Sequence, residues 1–293
     1  MPRNETICPV KDDVPSRTAY GVALSRAAHQ LFDQPRVFDD PVALSILGPK
    51  AVNGLRAAEK RFNHRFARYL RAFLVARSRL AEDALGEAVA RGVRQYVVLG
   101  AGLDTFAYRN PHAAAGLRVF EVDHPATQEW KRRLISEAHL KPPGSLIYVP
   151  VDFERDQLAE RLTANGFRAD EPAFFSWLGV TMYLTHEAIA QTLRFVAHSS
   201  VTRSAIVFDY LTVPPRWDLL RRWGLKLLMG RLAAAGEPWR TLFEPGQLPG
   251  ELTRLGFATV RDFGHDDINA RFFDHAGARL RVGGFGRVIL ARM

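Results

Sequence analysis

The strongest chemical signal in this 293-residue chain is YVVLGAGLDT, residues 96–105. An apolar run enters Gly100-Ala101-Gly102 with no polar spacer. Glycine there lets the backbone turn sharply and lets a ligand approach the main chain. A dinucleotide fingerprint, G-x-G-x-x-G, would need a third glycine where Thr105 stands. The pyrophosphate of NAD or FAD depends on close approach to a helix start, so a ligand without phosphates suits this turn better. An ordinary strand–turn–helix connection would carry the same residues.

Two acidic positions follow at the ends of later apolar runs. Residues 119–125, VFEVDHP, offer Glu121 and Asp123. A carboxylate has two acceptor oxygens and can take both hydroxyls of a ribose. Asp123, at the end of the run, is the better placed; capping a helix that starts at Pro125 is its other reading. Val151-Asp152-Phe153 is the third signal. An acid can bond the edge of an adenine while a ring packs on its face. A loop cap would look the same.

The elements that must position these residues follow from patterning. Residues 16–90 predict helices only. Ser16 is placed to cap a helix running to about Phe32. Phe62, Phe66, Tyr69, Leu70, Phe73 and Leu74 recur at helical spacing and predict one apolar stripe, on a helix that Gly86 or Gly92 would stop. From Arg94 onward, strand and helix alternate. Strands are predicted at 95–99, 117–122, 146–151, 174–180 and 205–211, and helices at 125–138, 156–164 and 185–198. Such alternation implies a largely parallel sheet with helices on both faces. Residues 212–250, rich in Pro and Trp around an amphipathic segment at 219–232, read as an insertion after the fifth strand. The last two strands are predicted at 257–263 and 286–291, as an antiparallel edge pair.

Composition narrows the classes. Hydrophobic residues make up 47% and charged residues 24%, which suits a packed globular chain and not a disordered one. A single cysteine, Cys8, rules out an internal disulfide, a cysteine zinc site and an Fe–S cluster. The N-terminal MPRNETICPVKDD has no apolar signal-peptide core. The longest apolar stretch, 174–184, is about half a membrane span and contains Gly179. A cytoplasmic protein without a membrane partner is expected, and no metal. Lys plus Arg, 40, exceed Asp plus Glu, 31, by 9. The excess is mostly arginine spread from Arg3 to Arg292, with only a loose basic and aromatic mixture at 216–240. A nucleic-acid partner is therefore not expected; an acidic small molecule or codon bias accounts for the charge.

Several stretches together resemble class I S-adenosylmethionine (SAM)-dependent methyltransferases. More narrowly, they resemble the leucine carboxyl methyltransferase-like family, whose bacterial members are often associated with polyketide and other secondary metabolism. The matching stretches are Ser16-Arg-Thr-Ala19, Phe38-Asp-Asp-Pro41, 95–105, 120–125, 151–153, 174–184 and Asn269-Ala-Arg-Phe272, nearly the whole chain. The resemblance implies an α/β fold with a Rossmann-like seven-stranded, mostly parallel sheet. It also implies a helical N-terminal lid (1–90), a SAM-binding domain (91–293) and a substrate-covering insertion (212–250). Arg77 and Arg17 would hold the methionine carboxylate of SAM, as an arginine fork suits a carboxylate. Gly100, Ala101 and Gly102 would line the methionine and ribose, Asp123 would take the ribose hydroxyls, and Asp152 with Phe153 would frame the adenine. Two positions depart from the family pattern. Phe106 stands where many relatives have Arg, and Leu178 where many have an acid next to the SAM amino group.

The expected activity is O-methylation of a small molecule, at a carboxyl group. An ionised carboxylate needs no general base. A phenol or alcohol acceptor is the alternative, and a nucleic acid a more distant one. A phenol or alcohol needs a base within reach, with His124, His186, His265, Asp266 and Asp267 as candidates. No catalytic residue is assigned. Tyr183 and Tyr210 could orient the acceptor or pack the core. Arg271, with Arg221, Arg222 and Lys226, could attract an acidic acceptor or be solvated. Trp217, Trp223 and Trp239 would form an apolar roof or pack the insertion down. The oligomeric state is not legible at this level.

Overall fold

The computed structural model describes residues 17–153, 155–198, 203–214, 218–234, 238–274 and 279–293. Cys8, Ser16 and Trp217 lie outside the described residues, as do the side chains of Arg17 and Arg221. Four helices come first: α1 (Arg17–Phe32), α2 (Val42–Ala57), α3 (Glu59–Phe62) and α4 (Arg65–Ala90). His64 caps α4, with its Nδ1 accepting from Ala67 N at 3.4 Å. Gly86 stays inside the helix, and the chain leaves it through Gly92, whose φ is +100°. The predicted stripe is split: Phe62 ends α3 and packs on the α1–α2 cluster, and the part on α4 is buried only in its second half. Phe73 and Leu74 enter the core, while Phe66 and Leu70 are 58% and 47% exposed. The physical reason is reach: α4 joins the sheet-side core only from Ala72 onward.

Alternation then takes over. In order come β1 (Gln95–Leu99), α5 (Phe106–Arg109), β2 (Arg118–Asp123), α6 (Pro125–Glu137), β3 (Leu146–Pro150), α7 (Leu158–Ala164), β4 (Ala173–Trp177) and α8 (His186–His198). The chain continues with β5 (Ala205–Leu211), α9 (Leu219–Ala234), α10 (Gln247–Arg254), β6 (Thr259–Phe263), α11 (His265–Phe272) and β7 (Gly286–Arg292). The seven strands form one sheet in the order β3-β2-β1-β4-β5-β7-β6. β1 to β5 are parallel to one another, and β7 runs antiparallel to both β5 and β6. The last two strands do pair antiparallel, but only β6 is an edge; β7 slots between β5 and β6. β4 ends at Trp177, three residues before its expected end, because Gly179 adopts φ +77° and leaves the sheet plane.

The apolar residues of the strands feed two layers. One packs α4 and α11 against alternate residues such as Val98, Phe174 and Val207. The other takes the opposite faces, Val97, Phe175 and Phe208, under α7, α8 and α10. Strands buried on both faces read as continuous apolar runs, which is why β1, β4 and β5 are legible in sequence. A third cluster joins α1 and α2 to Leu103 and Ile135. The strand order reverses between β1 and β4, and a crevice at such a switch point is where open α/β sheets bind ligands.

Candidate active site at the strand ends

The glycine turn after β1 folds over the end of β2. Gly100 N and Ala101 N both donate to Val122 O, at 2.8 and 3.0 Å. Gly100 has φ +68° and Gly102 φ +50°, where side chains are strained. Space is denied as well. A Cβ on Gly100 would overlap Val180 Cγ2, and one on Gly102 would lie 3.0 Å from Ala19 Cβ of α1. The turn is therefore gripped from one side by the loop after β4 and from the other by the N-terminal helix.

Asp123 closes the turn. Its Oδ2 accepts from Gly102 N at 2.5 Å and its Oδ1 from His124 N at 2.7 Å. Burial pushes the Asp123 carboxyl above its ordinary range, and the two backbone N–H bonds pull only part of the way back. Glu121 lies two residues earlier, on the same face of β2. It is deeper, with Lys131 Nζ of α6 at 2.5 Å and both side chains 1% exposed. Glu121 is thereby an internal ion-pair partner, and Asp123 is the acid at the strand end.

Arg77 comes from the middle of α4 to the same switch point. It is buried, and its Nη1 donates to Asp209 Oδ2 of β5 at 2.5 Å. The guanidinium lies against Gly179, where a Cβ would sit 2.8 Å from Nη2. Arg77 Nε is buried with no hydrogen-bond partner. Asp209 also accepts from Gly179 N at 2.5 Å. Sequence reasoning passed over Asp209. The available signal was an acid inside the apolar run AIVFDYL, since a charge buried in a central strand must be paired.

A second set missed from the sequence ties the helical segment to the turn. Arg26 Nη2 donates to Leu103 O at 2.5 Å, and Arg26 is within 3.5 Å of both Asp40 and Asp104. Arg109 bonds Thr105 Oγ1 at 3.1 Å, approaches Asp40 at 3.2 Å and pairs with Glu82. Phe106 is buried edge-on to Tyr96 with ring centroids 5.0 Å apart. Arg109, one turn further along α5, supplies a guanidinium to this cluster.

The remaining expected residues divide. Val151 N donates to Asp123 O at 2.9 Å, so Asp152 and Phe153 follow directly beside Asp123. Asp152 N donates to Asp156 Oδ2 at 2.9 Å, and Phe153 is 37% exposed. Tyr183 sits in a 3₁₀ turn, Thr181–Tyr183, after β4. The insertion docks there: Arg240 N donates to Met182 O at 2.7 Å and Thr241 Oγ1 to Leu184 O at 2.6 Å. Tyr210 follows Asp209 at the carboxyl end of β5, but its side chain points away from Arg77. It faces the layer opposite Arg77, fully buried, with its hydroxyl donating to Asp262 at 2.9 Å and its pKa raised, chiefly by burial. Arg271 is also elsewhere. It sits in the last turn of α11 and pairs with Asp83 of α4 at 3.0 Å. Both side chains are thus engaged in contacts within the chain. Trp223 is 66% exposed and Trp239 is half-buried.

The profile of the family described as Leucine carboxyl methyltransferase matches residues 19–197. The chain belongs to the leucine carboxyl methyltransferase family. It is an S-adenosylmethionine-dependent methyltransferase, and SAM is its cofactor. A relative from Bacillus subtilis (strain 168), named "Putative S-adenosyl-L-methionine-dependent methyltransferase YktD", is 32% identical over 282 residues. That match covers 89% of this chain and 92% of YktD. A Frankia alni protein of the same description, FRAAL3836, is 35% identical over 197 residues, 66% of this chain and 68% of its own. Among solved structures, a DUF574 family protein from Streptomyces avermitilis superposes with a TM-score of 0.52 at 16% identity. It covers 92% of this chain and 96% of its own, a likeness of fold. Among the described residues of this methyltransferase, no helix is long and apolar enough to cross a membrane. No group of three or more His, Cys, Asp or Glu among them could hold a metal ion.

Proposed function

We propose that this methyltransferase transfers the methyl group of SAM to a carboxylate oxygen of a small molecule, at the carboxyl ends of β1, β2 and β4. One observation carries the cofactor's place in this reading, and the lack of a free base beside it among the described residues favours the carboxylate. The glycine turn, the Asp123 carboxylate and a buried guanidinium with an unpartnered Nε meet at the switch point of the sheet. Those groups fit the cofactor. Each Asp123 oxygen accepts one N–H and keeps a lone pair for a ribose hydroxyl. Arg77 Nε is a donor waiting for an anion, and the methionine carboxylate supplies one. Arg17 begins α1, two residues before the Ala19 that covers Gly102, and is its partner in this role. Gly100, Ala101 and Gly102 line the methionine and ribose; Asp152 and Phe153 frame the adenine.

When bound, SAM supplies a methyl carbon on a positive sulfur, which a carboxylate oxygen displaces as the sulfur keeps the bonding electrons. The chain's own task is to orient the two partners and keep water out. Opposite charges vanish in this displacement, so a dry site favours it. The helical segment 1–90 and the insertion 212–250 serve as covers, through Ala19 on Gly102 and through the bonds to the turn bearing Tyr183. Tyr183 then borders the acceptor. A carboxylate acceptor also suits the candidate bases. His124 Nδ1 accepts from Ala126 N at 3.3 Å as a helix cap. His186 packs edge-on to Phe243 at 5.0 Å, and His265 approaches Asp266 at 3.2 Å on the surface. Asp267 accepts from Gly264 N at 2.9 Å. An acceptor already ionised at neutral pH needs none of them. Secondary metabolism is the setting that fits such an ester.

The test is incubation of the enzyme with a cell extract and deuteromethyl SAM, followed by mass spectrometry. A labelled product that loses its label to mild base is a methyl ester and supports the reading. A base-stable labelled ether replaces it with phenol or alcohol methylation. No labelled product overturns both.

A further inference from the structure

Asp209 is fully buried in the interior of a central strand, between Phe208 and Tyr210, and holds both sides of the switch point at once. Its Oδ2 takes Arg77 Nη1 and its Oδ1 takes the Gly179 backbone N–H, each at 2.5 Å. Thr181 Oγ1 donates to the Asp209 main-chain oxygen at 2.7 Å, so the first half of the turn after β4 is tied to Asp209 at two points. The next residue of that turn, Val180, is the one that abuts Gly100. Leu178, before Gly179, is apolar and packs into the core, so the negative charge at this turn comes from Asp209 on the adjacent strand.

We propose that Asp209 is a positioning residue for the amino-acid end of the cofactor. It fixes the Arg77 fork and the Gly179 turn in the geometry that receives a zwitterion. This rests on the reading that Arg77 meets the methionine carboxylate. The charge logic is direct. Arg77 and Asp209 form a neutral pair of separated charges with side chains 5% and 0% exposed. An amino-acid head is also a neutral pair of separated charges, and the two pairs complement one another head to tail. Without Asp209, the buried guanidinium would be left without its counter-charge and without the bond that fixes its fork, so it would no longer be held in place for a carboxylate. Asp209 acts through Arg77 and the Gly179 N–H, and needs no contact with the ligand.

The experiment is calorimetry with two ligands, S-adenosylhomocysteine and 5′-methylthioadenosine. They share the adenosine and thioether, and only the first has the amino and carboxyl groups. Asp209→Asn is expected to weaken S-adenosylhomocysteine about tenfold or more, the scale of one charge-assisted contact, and to change 5′-methylthioadenosine less than about twofold. Arg77→Met reports separately on the underlying reading. If Arg77→Met is selective in this way and Asp209→Asn is not, the Asp209 proposal is overturned and the Arg77 reading stands. If Arg77→Met is not selective, both are overturned. Should the uncharged variant fail to fold, Asp209→Glu keeps the charge and Arg77 but moves the carboxylate by one methylene away from the positions that bond Arg77 and the Gly179 N–H. That variant should bind 5′-methylthioadenosine like wild type and S-adenosylhomocysteine more weakly; an unchanged ratio of the two affinities overturns the proposal.

Discussion

Gly102 gives its backbone N–H to the Asp123 carboxylate at 2.5 Å, across 21 residues of sequence. The contact locks the turn of one strand onto the end of the next. It also decides what Asp123 can still do, because one acceptor position on each oxygen is filled and another is left.

Asp123→Ala should weaken S-adenosylhomocysteine by about 10- to 100-fold, since hydrogen bonds to a charged group contribute about 1.5–3 kcal/mol. The same variant should weaken 5′-methylthioadenosine comparably, because the ribose is common to both. Titration calorimetry reads both constants, and unchanged affinity would remove Asp123 from the site.

Asp123 should also leave a mark on stability against pH. Burial holds its pKa in the folded protein above the ordinary 3.8. The fold thus favours the protonated acid, and that stabilising contribution is full below 3.8 and is lost as pH rises through the raised value. Asp123→Asn is neutral at every pH and has no such loss. The difference in urea midpoint between variant and wild type should shift toward the variant as pH rises through this window, then level off. A pH-independent difference would show that Asp123 titrates normally.

Gly100→Ala should destabilise by about 1–3 kcal/mol, the range for an intruding methyl group in a packed site. Two costs combine: φ of +68° and the overlap with Val180. Calorimetric melting of the Ala variant at or above the wild-type temperature would mean that the turn relaxes. Gly92→Ala makes a useful comparison, since its φ is +100° but no atom lies within 4 Å of the added carbon.

Lys131→Met strands Glu121 and should cost about 3–5 kcal/mol at neutral pH. The loss should shrink in acid, where Glu121, whose pKa burial already raises, takes up a proton. Glu121→Leu/Lys131→Met should recover most of the stability. Urea unfolding of the three proteins decides the matter, and a single variant as stable as wild type would show that the pair is not a desolvated one.

The sequence by itself determined the parts that are local. Apolar runs closed by Gly100-Ala101-Gly102, by Asp123 and by Asp152 marked three strand ends, because turn geometry and burial are written in neighbouring residues. The alternation of strand and helix also fixed the parallel sheet, and AIVFDYL was legible to the residue as β5. What only the tertiary structure decided is which buried charges meet. Arg77 and Asp209 are 132 residues apart, and no local pattern pairs them. Tyr210, next to Asp209, turns to the other layer because side chains alternate along a strand, and Asp262 takes its hydroxyl there. β7 entered between β5 and β6 for a similar reason: backbone pairing is non-specific to sequence, so strand order is set by how whole layers pack.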